Sequence, residues 1–176
     1  MAIVGGVVER SAVAEMPSRS ERVAVLPLDL RAASAARAVV RSVCVAWDVP
    51  HLVDVAGACV LELVANAVKH ARWPADRRKR TLWLRVSVAG PLLVVEVPDP
   101  DRRLPLVGCG IDWGAFGDRG SDVDALPVSG LGLFTVVERL RAVGGVFGAV
   151  PLADGGKSVC FAVPVTALTF SEGGSR

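Results

Sequence analysis

The chain has 176 residues, of which 52% are hydrophobic and 22% charged, with a formal net charge of +2. That length fits one domain, and that balance excludes a disordered chain. The near-neutral charge gives no basis for general nucleic-acid binding.

Four cysteines (Cys44, Cys59, Cys109 and Cys160) form no CxxC pair, and His51 and His70 complete no zinc pattern. Cys44, Cys59 and Cys160 stand among apolar neighbours, as small core residues do. The opening Met1 to Val8 is apolar but lacks a basic leading region, so no signal peptide is expected. No window is expected to reach the ~20 apolar residues of a membrane helix. The expectation is a cytoplasmic protein with reduced thiols and no membrane partner.

Residues 1–20 form a loose lead-in, 21–166 the folded domain and 167–176 a tail. Val23 to Leu28 is a short apolar run, suited to an edge strand. Asp29 suits a helix cap, and Ala36, Val39, Val40, Val43, Cys44 and Trp47 follow at helical spacing. A second helix runs from about His51 to Arg72, with Ala56, Val60, Leu63, Val64 and Ala67 as its apolar stripe. Leu82 to Val88 alternates apolar and polar residues, Ala89-Gly90-Pro91 turns, and Leu92 to Val97 returns as the second strand of a hairpin.

The segment from Pro98 to about Ser129 holds five glycines and little periodicity, the mark of a functional loop. Gly130-Leu131-Gly132 opens a third helix, which Gly144-Gly145 ends. Val146 to Val150 and Ser158 to Pro164 form a last hairpin. The expected fold class is α/β: a two-layer sandwich with a mixed, mostly antiparallel sheet and helices on one face.

Four stretches carry candidate chemistry. Glu62, Asn66 and His70 are spaced four apart and share one helix face. Asn66 can offer its amide oxygen to a Mg²⁺ whose other ligands are phosphates and waters. Glu62, one turn away, is placed to accept a proton from an attacking hydroxyl. A polar edge on an amphipathic helix explains the trio as well. Asp99 ends a strand and can accept a hydrogen bond from an exocyclic amine, or simply begin an Asp-Pro turn. Gly130 and Gly132 allow close approach of a phosphate at a helix start, or serve a structural turn. Ser158 enters the last strand, where it reaches a base or merely closes a hairpin. The basic run Arg77 to Arg80 fits a solvated loop or a dock for an acidic partner.

Together these motifs resemble the ATPase superfamily of gyrase, chaperones, histidine kinases and mismatch-repair proteins, whose nucleotide site is the Bergerat fold. Glu62-x-x-x-Asn66-Ala67-x-x-His70-Ala71 looks like its N-box. Asp99 matches the adenine-reading aspartate of the first glycine box, Gly130-x-Gly132-Leu133 the second, and Gly156-Lys157-Ser158-Val159 the final strand motif. The resemblance covers roughly Val23 to Pro164. Within it, the chain is similar to the short anti-sigma-factor serine kinases and their stand-alone actinobacterial relatives.

The resemblance implies ATP and Mg²⁺ as cofactors, Asn66 as the metal ligand and Glu62 as the general base. It implies Asp99 on the adenine amino group, Gly130, Gly132 and Leu133 around the phosphates, Ser158 supporting the base, and residues 105–129 as an ATP lid. It implies a small anti-anti-sigma-like protein as the phosphate acceptor, a sigma factor as a further partner, and is compatible with a homodimer. His70 receives no chemical step. The sequence departs from the pattern at Asp99-Pro100-Asp101-Arg102-Arg103, where both glycines of the first box are missing. A stiff, charged loop there is expected to weaken nucleotide binding, and the alternative reading is a non-catalytic, nucleotide-responsive regulator that binds a partner protein.

Overall fold

A computed structural model describes residues 18–105, 131–153 and 155–166. Residues 1–17, Cys109, Gly130, the expected lid from residue 106 onward and the tail 167–176 lie outside the described residues.

Strand β1 (Ser18–Leu26) starts ahead of the expected boundary at residue 21 and pairs antiparallel with β2 (Leu82–Ala89), from Ser18↔Ala89 to Leu26↔Leu82. Helix α1 (Arg31–Ala46) buries Ala32, Ala36, Val40, Val43 and Cys44, the recurrence of a 3.6-residue period. Leu30, not Asp29, occupies its N-cap position. Asp29 still accepts from the Arg31 N–H at 2.8 Å and so satisfies one of the open donors at the helix start. The helix closes through Asp48, which adopts a left-handed conformation at φ 58°, and Val49 N–H donates back to the Cys44 carbonyl at 2.8 Å.

A single 3-10 turn over Pro50–Leu52 feeds α2 (Val53–His70). The expectation that no stretch is long and apolar enough to cross a membrane needs correction. Pro50–His70 passes that test by length and composition, with a hydropathy of 1.6. Its apolarity has a different use here: α2 is the middle helix of the domain, packed against α1 on one side and a third helix on the other, over the centre of the sheet. It buries Ala56, Gly57, Cys59, Val60, Leu63, Val64 and Ala67. Burial of each Leu or Val side chain contributes about 1.5–3 kcal/mol.

Strand β2 turns through Gly90, at φ 56°, into β3 (Leu92–Asp99). Helix α3 (Leu131–Ala142) ends at Gly144, φ 69°, with the Gly145 N–H on the Leu140 carbonyl at 2.7 Å. Strands β4 (Val146–Pro151) and β5 (Lys157–Pro164) complete the domain.

The five strands lie in the order β1-β2-β3-β5-β4, and every described pairing is antiparallel. The sheet expected to be mixed is thus antiparallel throughout its described part. The last strand inserts between β3 and β4, which brings Asp99 opposite Lys157. Across the sheet, α1 lies on β1 and β2, α2 on β3 and β5, and α3 on β4. Leu82, Leu84 and Val86 of β2, Leu93, Val95 and Val97 of β3, and Val159, Phe161 and Val163 of β5 meet the three helices in one core. The architecture is therefore a two-layer α/β sandwich with an open antiparallel sheet. The far side carries the small apolar cluster of Ala89, Val94 and Ala162. There Arg85 also sits 3.3 Å from Glu21 and 3.9 Å from Glu96, exposed pairs that contribute little.

Candidate functional site

The site residues named from sequence distribute along the C-terminal half of α2 and beyond its C-terminal end. Glu62 and Asn66 are each partly buried, one turn apart, and His70 is exposed at the last turn. A Cβ built on Gly132 would stand 2.6 Å from Glu62 Oε2, so the first turn of α3 passes directly against the Glu62 carboxylate. Glycine is what permits that approach. Leu133 packs partly buried against the core. Gly130 lies outside the described residues.

At its C-terminal end, α2 meets the exit of β3. Asp101 Oδ2 accepts from the Arg72 N–H at 3.2 Å, and the Arg103 guanidinium reaches the His70 carbonyl at 3.3 Å while pairing with the Asp101 carboxylate. Trp73 Nε1 donates to the Ala67 carbonyl at 3.0 Å, a second bond on an oxygen that also accepts from the Ala71 N–H at 3.3 Å. The loop that lacks the two expected glycines is therefore stitched to α2 by the side chains that replaced them. Burial alone would push the Asp101 carboxyl up, but hydrogen bonds from the Arg103 side chain and N–H, with Lys157 nearby, hold it down at about 2.

Asp99 lies in the same cluster. Its Oδ1 accepts from the Asp101 N–H at 2.8 Å and from Lys157 Nζ at 2.8 Å. Lys157 Nζ also donates to the Asp101 carbonyl at 3.0 Å. Asp99 and Lys157 are each only 6% exposed. Burial raises the Asp99 carboxyl above its ordinary range, against the pull of Lys157 and the Asp101 N–H. The β4–β5 hairpin is held to the same loop. Arg102 Nε donates to the Gly155 carbonyl at 2.8 Å, and a Cβ on Gly156 would run into the Asp99 carbonyl.

The strand register places Lys157, and not Ser158, opposite Asp99. Strand side chains alternate faces, so Lys157 shares the helix-facing side with Val159 and Phe161, opposite Asp99. Ser158 pairs with Pro98 and Val150 on the other side of the sheet. Its buried hydroxyl has no hydrogen-bond partner among the described residues. Sequence reasoning gave Lys157 no role, although it stands inside the Gly156-Lys157-Ser158-Val159 stretch.

The basic run is structural in part. Arg77–Lys79 form a 3-10 turn capped by Asp76, and Arg80 ties the Pro74 and Ala75 carbonyls at 2.6 and 3.2 Å. Arg77 and Arg78 are exposed.

Among the described residues no group of three or more His, Cys, Asp or Glu side chains forms a metal cage. A Mg²⁺ that takes most of its ligands from phosphates and water needs no such cage, and one protein oxygen such as the Asn66 amide would suffice to hold it.

No protein-family model and no curated protein matches the chain. Among solved structures it is similar to the histidine kinase domain of the blue-light-activated histidine kinase of Erythrobacter litoralis EL346, at 20% identity and a TM-score of 0.45. That alignment covers 79% of this chain, which spans 61% of the length of the kinase-domain chain.

Proposed function

We propose that the chain binds Mg²⁺-ATP along α2 and transfers its terminal phosphoryl group to a serine or threonine of a small partner protein. The observation that carries this reading is the line of polar groups on one helix. Gly132 and Glu62 stand at one end, Asn66 one turn on, and the Asp99–Asp101 cluster past the other end. The eight helical steps from Glu62 to His70 span about 12 Å, a length comparable to an extended nucleoside triphosphate.

The roles follow from chemistry. Asp99 accepts the adenine amino proton, and the start of α3 faces the phosphates with its open N–H groups. Asn66 offers its amide oxygen to the metal, and Glu62 takes the proton of the attacking hydroxyl. Mg²⁺-ATP, when bound, supplies the phosphoryl group and the charge neutralisation. The partner is an anti-anti-sigma-like antagonist protein, with a sigma factor as a further partner, so the activity is regulatory and cytoplasmic, and ADP is released.

The test is calorimetric titration with ATP, with and without Mg²⁺, beside Asp99→Asn. Mg²⁺-dependent binding that the variant loses supports the nucleotide site. Glu62→Gln is then expected to bind ATP normally and lose transfer to the partner; unchanged transfer sinks the assigned base.

The stitched Asp99–Arg103 loop favours a second reading, a nucleotide-responsive regulator without chemistry. Robust phosphorylation of a cognate partner by the wild type eliminates it.

A further inference from the structure

The buried polar and charged side chains among the described residues are Asp99, Asp101, Lys157 and Ser158, and the first three form one cluster at the ends of β3 and β5. A lysine ammonium carries three N–H donors and no acceptor. Lys157 spends two, on Asp99 Oδ1 and the Asp101 carbonyl. Asp99 receives both of its bonds on Oδ1. Among the described residues no hydrogen bond falls on Asp99 Oδ2 or uses the third Lys157 N–H, and Asp99 Oδ2 is not sealed in the core as the unpartnered Ser158 hydroxyl is. The pair therefore keeps one acceptor and one donor available to a ligand.

We propose that Lys157 is a specificity-determining residue that donates to ring nitrogen N1 of adenine while Asp99 Oδ2 accepts from the 6-amino group. This rests on the nucleotide-binding reading above. Adenine presents a donor at position 6 next to an acceptor at position 1, the complement of this carboxylate–ammonium pair. A 6-oxopurine in the same pose turns its carbonyl to Asp99 and its N1–H to Lys157, so both contacts become repulsive. The charge of Lys157 strengthens the bond to N1 and holds Asp99 in its ionised, accepting form.

The experiment is calorimetric titration of the full chain with Mg²⁺-ATP, Mg²⁺-1-deaza-ATP (a C–H in place of N1) and Mg²⁺-ITP. The wild type is expected to bind 1-deaza-ATP about tenfold more weakly than ATP, and ITP more weakly than ATP. Lys157→Met is expected to bind ATP and 1-deaza-ATP alike. Equal affinities for ATP and 1-deaza-ATP in the wild type, or a difference that survives in Lys157→Met, overturn the assignment of Lys157 and leave the nucleotide reading standing. Failure of the wild type to bind any of the three overturns both. Should Lys157→Met not fold, with Asp99 left buried and unpaired, Lys157→Gln takes its place, and an undiminished preference for ATP over 1-deaza-ATP in that variant overturns the assignment.

Discussion

Gly132 of α3 lies so close to Glu62 of α2 that a single added carbon would meet the Glu62 carboxylate at 2.6 Å. The atom in the way is the far end of a flexible side chain, so Gly132→Ala displaces the carboxylate and leaves the helix packing in place. Alanine also favours a helix over glycine by roughly 0.5–1 kcal/mol. Gly132→Ala is expected to keep or slightly raise the denaturant midpoint while phosphoryl transfer falls. A lowered midpoint with transfer intact would show that the contact serves packing alone.

Ser158 offers a test of strand register. Its hydroxyl is buried without a partner among the described residues and faces away from Asp99. Ser158→Ala removes a desolvated hydroxyl, so stability is expected to be unchanged or up by about 1 kcal/mol. ATP affinity is expected to stay within twofold. A large affinity loss in calorimetry would return Ser158 to the base site.

Asp101 ties acid stability to the loop after β3. Its carboxyl is held at about 2, below the ordinary 3.8, so between those values the unfolded chain binds more protons than the folded one. Asp101 therefore contributes stability that is present above pH 3.8 and lost as pH falls toward 2. Asp99 is raised, so it acts in the opposite sense, and its burden grows as pH rises through its folded value. Urea midpoints measured from pH 5 to pH 2 are expected to fall less steeply in Asp101→Asn than in the wild type, from a lower starting value. Parallel slopes would remove Asp101 from the acid response.

Leu63 tests whether α2 is the centre of the core. It is 2% exposed and lies next to Glu62 in sequence but on the buried side of the helix. Leu63→Ala is expected to cost about 2–5 kcal/mol in chemical unfolding. A cost under about 1 kcal/mol would mean that neighbouring elements collapse into the space.

Cys44 and Cys59 are buried, and desolvation pushes both thiols up to about 11. Both are expected to resist alkylation at pH 8 in the folded protein and to react once it is denatured, as followed by mass spectrometry. Rapid labelling of either in the native state would contradict their place in the core.

Local periodicity made the elements legible. The apolar recurrence from Ala36 to Cys44, the stripe Ala56 to Ala67 and the alternation Leu82 to Val88 each report a face set by backbone geometry alone. The two hairpins were legible for the same reason, since Gly90 and the Gly155-Gly156 pair mark where the chain reverses. The placement of Glu62 and Asn66 on one helix face follows from a spacing of four.

What the amino-acid sequence determined by itself was thus the element order, the α/β class and the residues of α2 that share a polar edge, because these depend on neighbours within a turn or a strand pair. The tertiary structure decided the rest. Insertion of β5 between β3 and β4 set Lys157 rather than Ser158 against Asp99, since a one-residue change of register exchanges the two faces of a strand. Packing between α1 and α3 made a helix apolar enough for a membrane into the middle of a core. Asp101 and Arg103, which read in sequence as a damaged glycine loop, became a brace because the end of α2 arrives beside them, a contact across 29 residues between Arg72 and Asp101 that no local pattern encodes.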